Sequence, residues 1–349
     1  MTTVDHSEEA APSGGIFGLG HELEDAGVVL VPVPWEATTS YGRGTARGPE
    51  AMLEASAQVD LFDVDLGEPH RAGIVMLEPD PDLLARSARA SEVASRVIAA
   101  YDDGLARPDK LVAEVNEASA WLDAHVRATV ERHLDRAVVG VVGGDHSVAF
   151  GTIAAHAARH PGMGVLQLDA HADLRVAYQG FVGSHASVMH RALELPDVGK
   201  LVAVGLRDLS VEEHRAIEAS SGRAVAFFDA RLAQRKAAGQ PFASIAREIA
   251  EALPEQVYIS FDIDGLDPAL CPHTGTPVLG GLSFHEAMAI FDAVVASGRT
   301  IVGFDLCEVA PGPDGDEWDA NVGARILYKL IGYTLKSRGR VSGTAAGTS

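Results

Sequence analysis

Cysteine is nearly absent: the 349 residues contain two, Cys271 and Cys307. So few thiols in a chain of this length exclude a disulfide scaffold and fit a reducing compartment. Aromatic residues are scarce too, at 6% against 47% hydrophobic residues overall. The core must therefore be built from Ala, Val, Leu and Ile, a mix that suits buried parallel strands under Ala-rich helices. Basic residues are in deficit, since 28 Lys and Arg against 49 Asp and Glu leave a formal net charge of −21. Such a surface repels phosphate backbones and anionic membranes. It argues against nucleic-acid and membrane partners and favours small cationic ones. No apolar run reaches the length of a membrane span. The opening MTTVDHSEEAAPSGGIFGLG lacks the basic start and apolar stretch of a secretory signal. These absences predict a cytoplasmic protein.

What is present is alternation. Short β-rich runs occur at Val28–Pro32, Gly73–Met76, Ala137–Val142, Gly164–Leu168, Leu201–Gly205, Ala224–Phe228, Val257–Phe261 and Ile301–Leu306. Helical spacing appears between them, at Pro49–Ser56, Asp82–Tyr101, Leu111–Leu134, Ser147–Arg159, Glu212–Ala219, Ala243–Ala252, Ser283–Ser297 and Ala320–Lys336. Strands alternating with helices predict an α/β fold of three layers, αβα, with a mostly parallel eight-stranded sheet. Residues 1–22 and 337–349 lack periodicity and read as a flexible N-terminal arm and a flexible tail. Residues 23–336 form a single domain, because no composition shift or repeat divides them.

The polar residues of interest sit just beyond strand runs. G-G-D-H-S carries His146; D-A-H-A-D carries Asp169, His171 and Asp173; D-I-D-G-L-D-P carries Asp262, Asp264 and Asp267; Glu308 follows the last run. In open α/β sheets, ligands bind outside the carboxyl ends of the strands. In extended chain, alternate residues share a face, so Asp169, His171 and Asp173 are expected to converge, as are Asp262 and Asp264. Like charges gathered that closely resist ionisation unless cations pair with them. Oxygen-rich donors with two imidazoles and no thiolate suit Mn²⁺, Ni²⁺, Co²⁺ or Fe²⁺ better than structural zinc. A single Asp after a strand is usually a helix cap, and a single His usually packs. Three such motifs at three strand ends argue for a site.

GGDHS, DAHAD and SFDIDGLDP, in this order, resemble the motifs of the ureohydrolases: arginase, agmatinase, guanidinobutyrase and their relatives. The resemblance runs from about Val28 to Tyr333. It implies the arginase-like αβα fold and a two-metal centre. One metal would be held by His146, Asp169, Asp173 and Asp262, the other by His171, Asp169, Asp262 and Asp264, with Asp169 and Asp262 bridging. Water held between two cations ionises near neutral pH, its pKa falling from about 15.7 toward about 7. It can then attack the resonance-stabilised guanidinium carbon, releasing urea. By the same resemblance Asp173 passes a proton to the leaving nitrogen, His185 shuttles protons or hydrogen-bonds substrate, and Glu308 grips the guanidinium. Asp267 lies outside the ligand pattern and orders the loop into Pro268. Asp305 is expected to support Glu308, and His190 to be structural.

The segment V-P-W-E-A-T-T-S-Y-G-R-G-T-A-R-G-P-E (33–50) and the helical pair at 82–134 resemble the guanidine hydrolase branch. That branch implies guanidine or an N-alkylated guanidine as substrate and nickel as the favoured metal, with manganese as the alternative. The loop Y-Q-G-F-V-G-S-H and Ser210 depart from the arginase pattern for an amino-acid head group. Agmatine, a guanidino acid or a biguanide are the alternative substrates. Trp318 is expected to lid the pocket by cation–π contact, in which case Trp318→Ala would raise KM. A single-zinc deacetylase of this fold would lack the paired histidines, and a decayed partner subunit would lack some of the six ligands. Assembly is expected to be a homo-trimer or hexamer, with a hetero-oligomer as the alternative.

Overall fold

The Val-rich runs form strands because both of their faces are covered. In chain order the strands are β1 (Val28–Val33), β2 (Ile74–Met76), β3 (Val138–Gly143), β4 (Met163–Leu168), β5 (Val198–Val204), β6 (Ala224–Phe227), β7 (Gln256–Asp262) and β8 (Thr300–Cys307). β1, β3 and β4 are buried at every position, as expected where helices cover both sheet faces. The computed structural model describes residues 14–39 and 41–343. It pairs all eight strands in parallel, in the order β2-β1-β3-β8-β7-β4-β5-β6. The chain leaves β3, steps over the places later filled by β8 and β7, and resumes at β4. That step is the topological switch at which such sheets bind ligands.

The helices are α1 (Gly48–Ser56), α2 (Pro81–Asp102), α3 (Asp109–Glu131), α4 (Ala149–Arg159), α5 (Val188–Glu194), α6 (Val211–Ala219), α7 (Asp229–Ala237), α8 (Phe242–Glu251), α9 (Phe284–Ala296) and α10 (Trp318–Ser337). α2 shows how local sequence sets them. The Asp80 side chain caps the Asp82 amide, Pro81 opens the first turn, and Leu83, Ser87, Ala90, Val93, Ala94 and Val97 form the buried stripe. On one sheet face α1, α8, α9 and α10 bury Met52, Ile249, Phe291 and Ile331. On the other, α3 and α4 bury Leu122, Val126, Ala155 and Ile153. α7 was not expected; it buries only Leu232, so no apolar period announces it.

Both ends of the expected domain shift outward. Ile16 and Phe17, assigned to the arm, are buried. The Phe17 amide donates to Ser56 Oγ at 2.8 Å, and its ring meets Tyr328 edge-on at 5.0 Å. Residues 16–19 are therefore packed chain, while 1–13 lie outside the described residues. The start of the tail is tied down as well. Arg338 donates to the Ile301 and Val302 carbonyls at 3.0 and 2.8 Å, and Arg340 to the Gly27 carbonyl at 3.2 Å. Among the described residues both cysteines are free and buried, and no helix is long and apolar enough to cross a membrane.

His156 on α4 is fully buried, its Nδ1 donating to the Thr152 carbonyl at 2.9 Å while Nε2 has no partner. Burial pushes its pKa down to about 4. The folded value lies below the unfolded one, so the stabilisation is complete above about pH 6.5 and is lost as pH falls toward 4. The linkage amounts to roughly 3 kcal/mol at most. Thermal melts of His156→Phe between pH 7 and 4 should show a shallower acid decline than wild type; parallel curves would contradict it.

Candidate metal centre

β3, β8, β7 and β4 are neighbours at the centre of the sheet, and their carboxyl ends deliver His146, Glu308, Asp262 with Asp264, and Asp169 with His171 and Asp173. The structure brings all of these together. His146 Nδ1 lies 2.9 Å from Asp173 Oδ2, 3.2 Å from Asp169 Oδ2 and 3.4 Å from Asp262 Oδ2. His171 Nδ1 lies 3.0 Å from Asp264 Oδ2 and 3.6 Å from Asp169 Oδ1. Two donor groups result, His146–Asp169–Asp262 and Asp169–His171–Asp264, each with one donor atom per residue inside 4.8 Å. Asp169 belongs to both. Asp262 belongs to the first alone, where bridging was expected, and Asp173 enters through its contact with His146.

The convergence is only partly the expected alternation. β4 ends at Leu168. Ala170 and Ala172 turn into the core, which leaves Asp169 and His171 on the other side. Asp173 breaks the pattern, with a left-handed backbone (φ 53°). Its carbonyl accepts the Met189 and His190 amides at 3.0 and 3.1 Å, bonds that offset the strain of that conformation. Asp262 is both a cap and a candidate ligand: its Oδ1 accepts the Asp264 amide at 2.9 Å at the start of a short turn. Gly265 in that turn lets two strand ends meet, since a Cβ there would fall 2.6 Å from the Asp169 amide nitrogen.

The donor set fits divalent cations. His146 Nε2 lies 2.9 Å from Ser260 Oγ, and that hydroxyl donates to Asp305 Oδ1 at 3.0 Å. Because the Ser260 proton is committed to Asp305, Nε2 carries a ring hydrogen and Nδ1 is turned toward the carboxylates, which outweigh burial and push the ring well above the usual imidazole range. Nδ1 has no hydrogen-bond partner of its own. A ring nitrogen among three carboxylate oxygens is a site for a proton or for the metal ion that would replace it. Asp305 therefore supports His146 through Ser260, and not Glu308 as expected.

Electrostatics point the same way. Burial, with Asp264 and Asp169 adding to it, pushes Asp262 well above the usual carboxylate range. Burial and the Asp169 charge raise Asp173 to about 7. Burial resists charge on His171, yet Asp169 and Asp264 outweigh it and push the ring up to about 12. Protons are held where cations would neutralise the same carboxylates, so metal binding would release them.

The cleft above these residues has a volume of about 180 Å³, and Tyr178, His185, Leu209, Thr276 and Glu308 help to line it. Glu308 is buried with a left-handed backbone (φ 64°). Its amide donates to the Gly144 carbonyl at 2.8 Å, its carbonyl accepts the Thr274 hydroxyl at 2.8 Å, and its Oε1 accepts the His146 amide at 2.8 Å. Oε2 is left for a ligand. His185 Nδ1 lies 3.2 Å from Thr38 Oγ1 and 3.3 Å from Ser184 Oγ, so Nε2 is its available nitrogen. Burial, then the His171 and His146 charges, lowers its pKa to about 4, keeping the ring neutral. Thr38 is held in turn by a loop whose Gly44 and Ala46 amides donate to Glu36 Oε2 at 2.7 and 3.3 Å.

Trp318 is not part of the cleft lining. It opens α10 at 49% exposure, its indole N–H donating to the Ala269 carbonyl at 3.0 Å. The lid expectation fails because that bond holds the ring on the loop after Asp267. Trp318→Ala should leave KM unchanged in steady-state assays. Asp267 does order its loop, accepting the Ala269 amide at 2.9 Å. The His190 ring contacts Glu194 at 3.6 Å, on its own helix. Residues that escaped the sequence reading are Ser260, Arg175, Tyr178, Asp208, Glu213 and Thr276. Ser260 alone had a signal: it stands two places before Asp262 and so shares its face.

The Arginase family model matches residues 26–332. The chain belongs to the arginase family. It is a metal-dependent ureohydrolase acting on a guanidino compound, and the two donor groups above are consistent with the family's binuclear divalent-metal centre. Among its relatives is the N(1)-aminopropylagmatine ureohydrolase of Thermus thermophilus, 35% identical over 310 residues, covering 88% of this chain and 90% of the relative. The Synechocystis enzyme of the same name is 33% identical over 320 residues, covering 90% and 91%. The solved proclavaminate amidino hydrolase from Streptomyces clavuligerus superposes with a TM-score of 0.72 at 22% identity, covering 95% of this chain and 100% of that one. That likeness bears on the fold.

Proposed function

We infer that this ureohydrolase cleaves the C–N bond of a small guanidino compound, guanidine or an N-alkylated guanidine, to urea plus ammonia or an amine. The observation that carries the reading is the pair of donor groups sharing Asp169 at the base of a cleft of about 180 Å³, below the roughly 300–1,000 Å³ of common ligand pockets. His146, Asp169, Asp173 and Asp262 would hold one cation, and His171, Asp169 and Asp264 the other, which Asp262 would join, as the resemblance implies, only after its carboxylate turns. Two such cations supply a water nucleophile ionised near neutral pH. Glu308 Oε2 binds a guanidinium N–H and fixes the plane of the substrate. His185, neutral and anchored through Nδ1, hydrogen-bonds the substrate through Nε2. Asp173 carries a proton from the attacking water to the leaving nitrogen. Leu209 and the Tyr178 ring, edge-on to His185 at 6.1 Å, keep bulk water out.

Nickel is the favoured cation, with manganese as the alternative, because nickel binds a given nitrogen and oxygen donor set more tightly. The resemblance also supports assembly as a trimer or hexamer, and the scarcity of cysteine supports a cytoplasmic location. A second reading, a guanidine carrying an aminoalkyl chain such as agmatine, is favoured by the names of the two bacterial relatives and by Asp208 on the cleft wall. Metal analysis with urea release from guanidine, methylguanidine, agmatine, guanidinobutyrate and arginine decides between them. The first reading expects the highest kcat/KM with guanidine or methylguanidine; a higher value with agmatine would replace it with the second.

A further inference from the structure

Beneath the metal-binding side chains runs a second polar layer, set by sheet register. Gln167 of β4 stands beside Ser260 of β7, and Ser260 beside Asp305 of β8. All three are fully buried, inside a sheet where burying an amide, a hydroxyl and a carboxylate is costly unless each is bonded. Strand period two makes this the row directly below Asp169 and Asp262. Ser260 and Asp305 serve His146. Gln167 serves other residues, and nothing in the reaction chemistry calls for it.

The Gln167 amide nitrogen donates to Asp169 Oδ2 at 2.8 Å and to the His171 carbonyl at 3.1 Å. Both partners are acceptors, so the amide cannot be turned over, and both of its hydrogens are spent on them. Its Oε1 is buried without a partner, a cost accepted for the sake of the nitrogen end. The Asp169 carboxylate is held at its other oxygen by the His171 amide at 2.6 Å. One side chain thus ties the carboxylate common to both donor groups to the backbone of the histidine found in only one.

We propose that Gln167 is a positioning residue that couples the two cation sites by clamping Asp169 against the His171 backbone. It touches neither substrate nor cation. The inference rests on the ligand assignment under Proposed function. Without the clamp, Asp169 keeps only the His171 amide bond and can turn about it toward either donor group, and a carboxylate turned to one site is lost to the other. Both sites weaken together. Gln167→Met keeps the length and removes both donors. Gln167→Glu keeps the shape but sets an ionised carboxylate against Asp169.

The test is calorimetric titration of Mn²⁺ and Ni²⁺ into metal-free wild type, Gln167→Met and Gln167→Glu, with kcat and KM measured at saturating metal. Wild type should bind two ions per chain. Gln167→Met should bind both about 10–100-fold more weakly, the usual cost of losing a residue that orients a ligand, and Gln167→Glu should be weaker still. Excess metal should recover kcat in Gln167→Met with KM little changed, whereas a merely structural role would leave metal Kd unmoved. Two ions bound to Gln167→Met at wild-type affinity, or weakening at one site alone, would overturn the proposal. Should Gln167→Met fail to fold, Gln167→Glu decides by the same criterion. Wild type that binds no pair of ions would refute the ligand assignment itself, a different failure.

Discussion

Asp169→Asn is expected to abolish binding of both cations and to cut urea release by about 10³-fold or more, since a metal centre contributes several kcal/mol to such a reaction and each tenfold is about 1.4 kcal/mol. The substitution keeps size and shape but removes the charge common to both donor groups. It also misplaces a donor. Asp169 Oδ1 accepts the His171 amide at 2.6 Å and Oδ2 accepts the Gln167 amide at 2.8 Å. Whichever way an asparagine turned, its NH₂ would face another N–H. Asp264→Asn is the control, because Asp264 belongs to the second group alone. It should lose one ion and keep the other. Metal content by mass spectrometry of the dialysed proteins checks both, and two tightly bound ions in Asp169→Asn would defeat the shared-ligand reading.

The layers, the parallel sheet and all eight strands were legible in the sequence because their cause is local: Val and Ile runs covered on both faces leave a strong signal. The candidate donors were legible for a related reason, lying immediately beyond those runs. What the sequence could not disclose is set by contacts across the sheet. Alternation accounts for Asp169 and His171, but Asp173 arrives through a left-handed turn fixed by the amides of Met189 and His190. Nothing in D-A-H-A-D announces it. The role of Asp305 depended on the register that sets it beside Ser260. Trp318 looked like a lid because its distance along the chain from Glu308 is short, yet its indole bonds to a carbonyl 49 residues upstream. The N-terminal boundary failed because Ile16 and Phe17 are two apolar residues amid Gly and Ser, too few to show a period, and they are buried all the same.

Glu308→Gln separates grip from chemistry. The variant keeps Oε1 as acceptor for the His146 amide, so the turn and the metal ligands should persist and two ions should still bind. The Oε2 position, however, then holds the amide NH₂. A guanidinium is donor at every edge, so an NH₂ there opposes it and the lost charge weakens what remains. Removing one partner of such a pair costs about 2–5 kcal/mol, which places the rise in KM between roughly 30-fold and several thousand-fold. Stability should move the other way. Burial, then the Asp145 charge, raises the Glu308 carboxyl well above its usual value. An acid whose folded pKa is raised stabilises the fold below its unfolded pKa and loses that stabilisation as pH climbs through the folded value. As pH climbs from the unfolded toward the folded value the metal-free wild type therefore loses stability that a glutamine, which does not titrate, keeps. Metal-free Glu308→Gln should melt at a higher temperature than wild type while binding substrate far more weakly. A variant with unchanged KM would remove Glu308 from the substrate site, whatever its melting temperature.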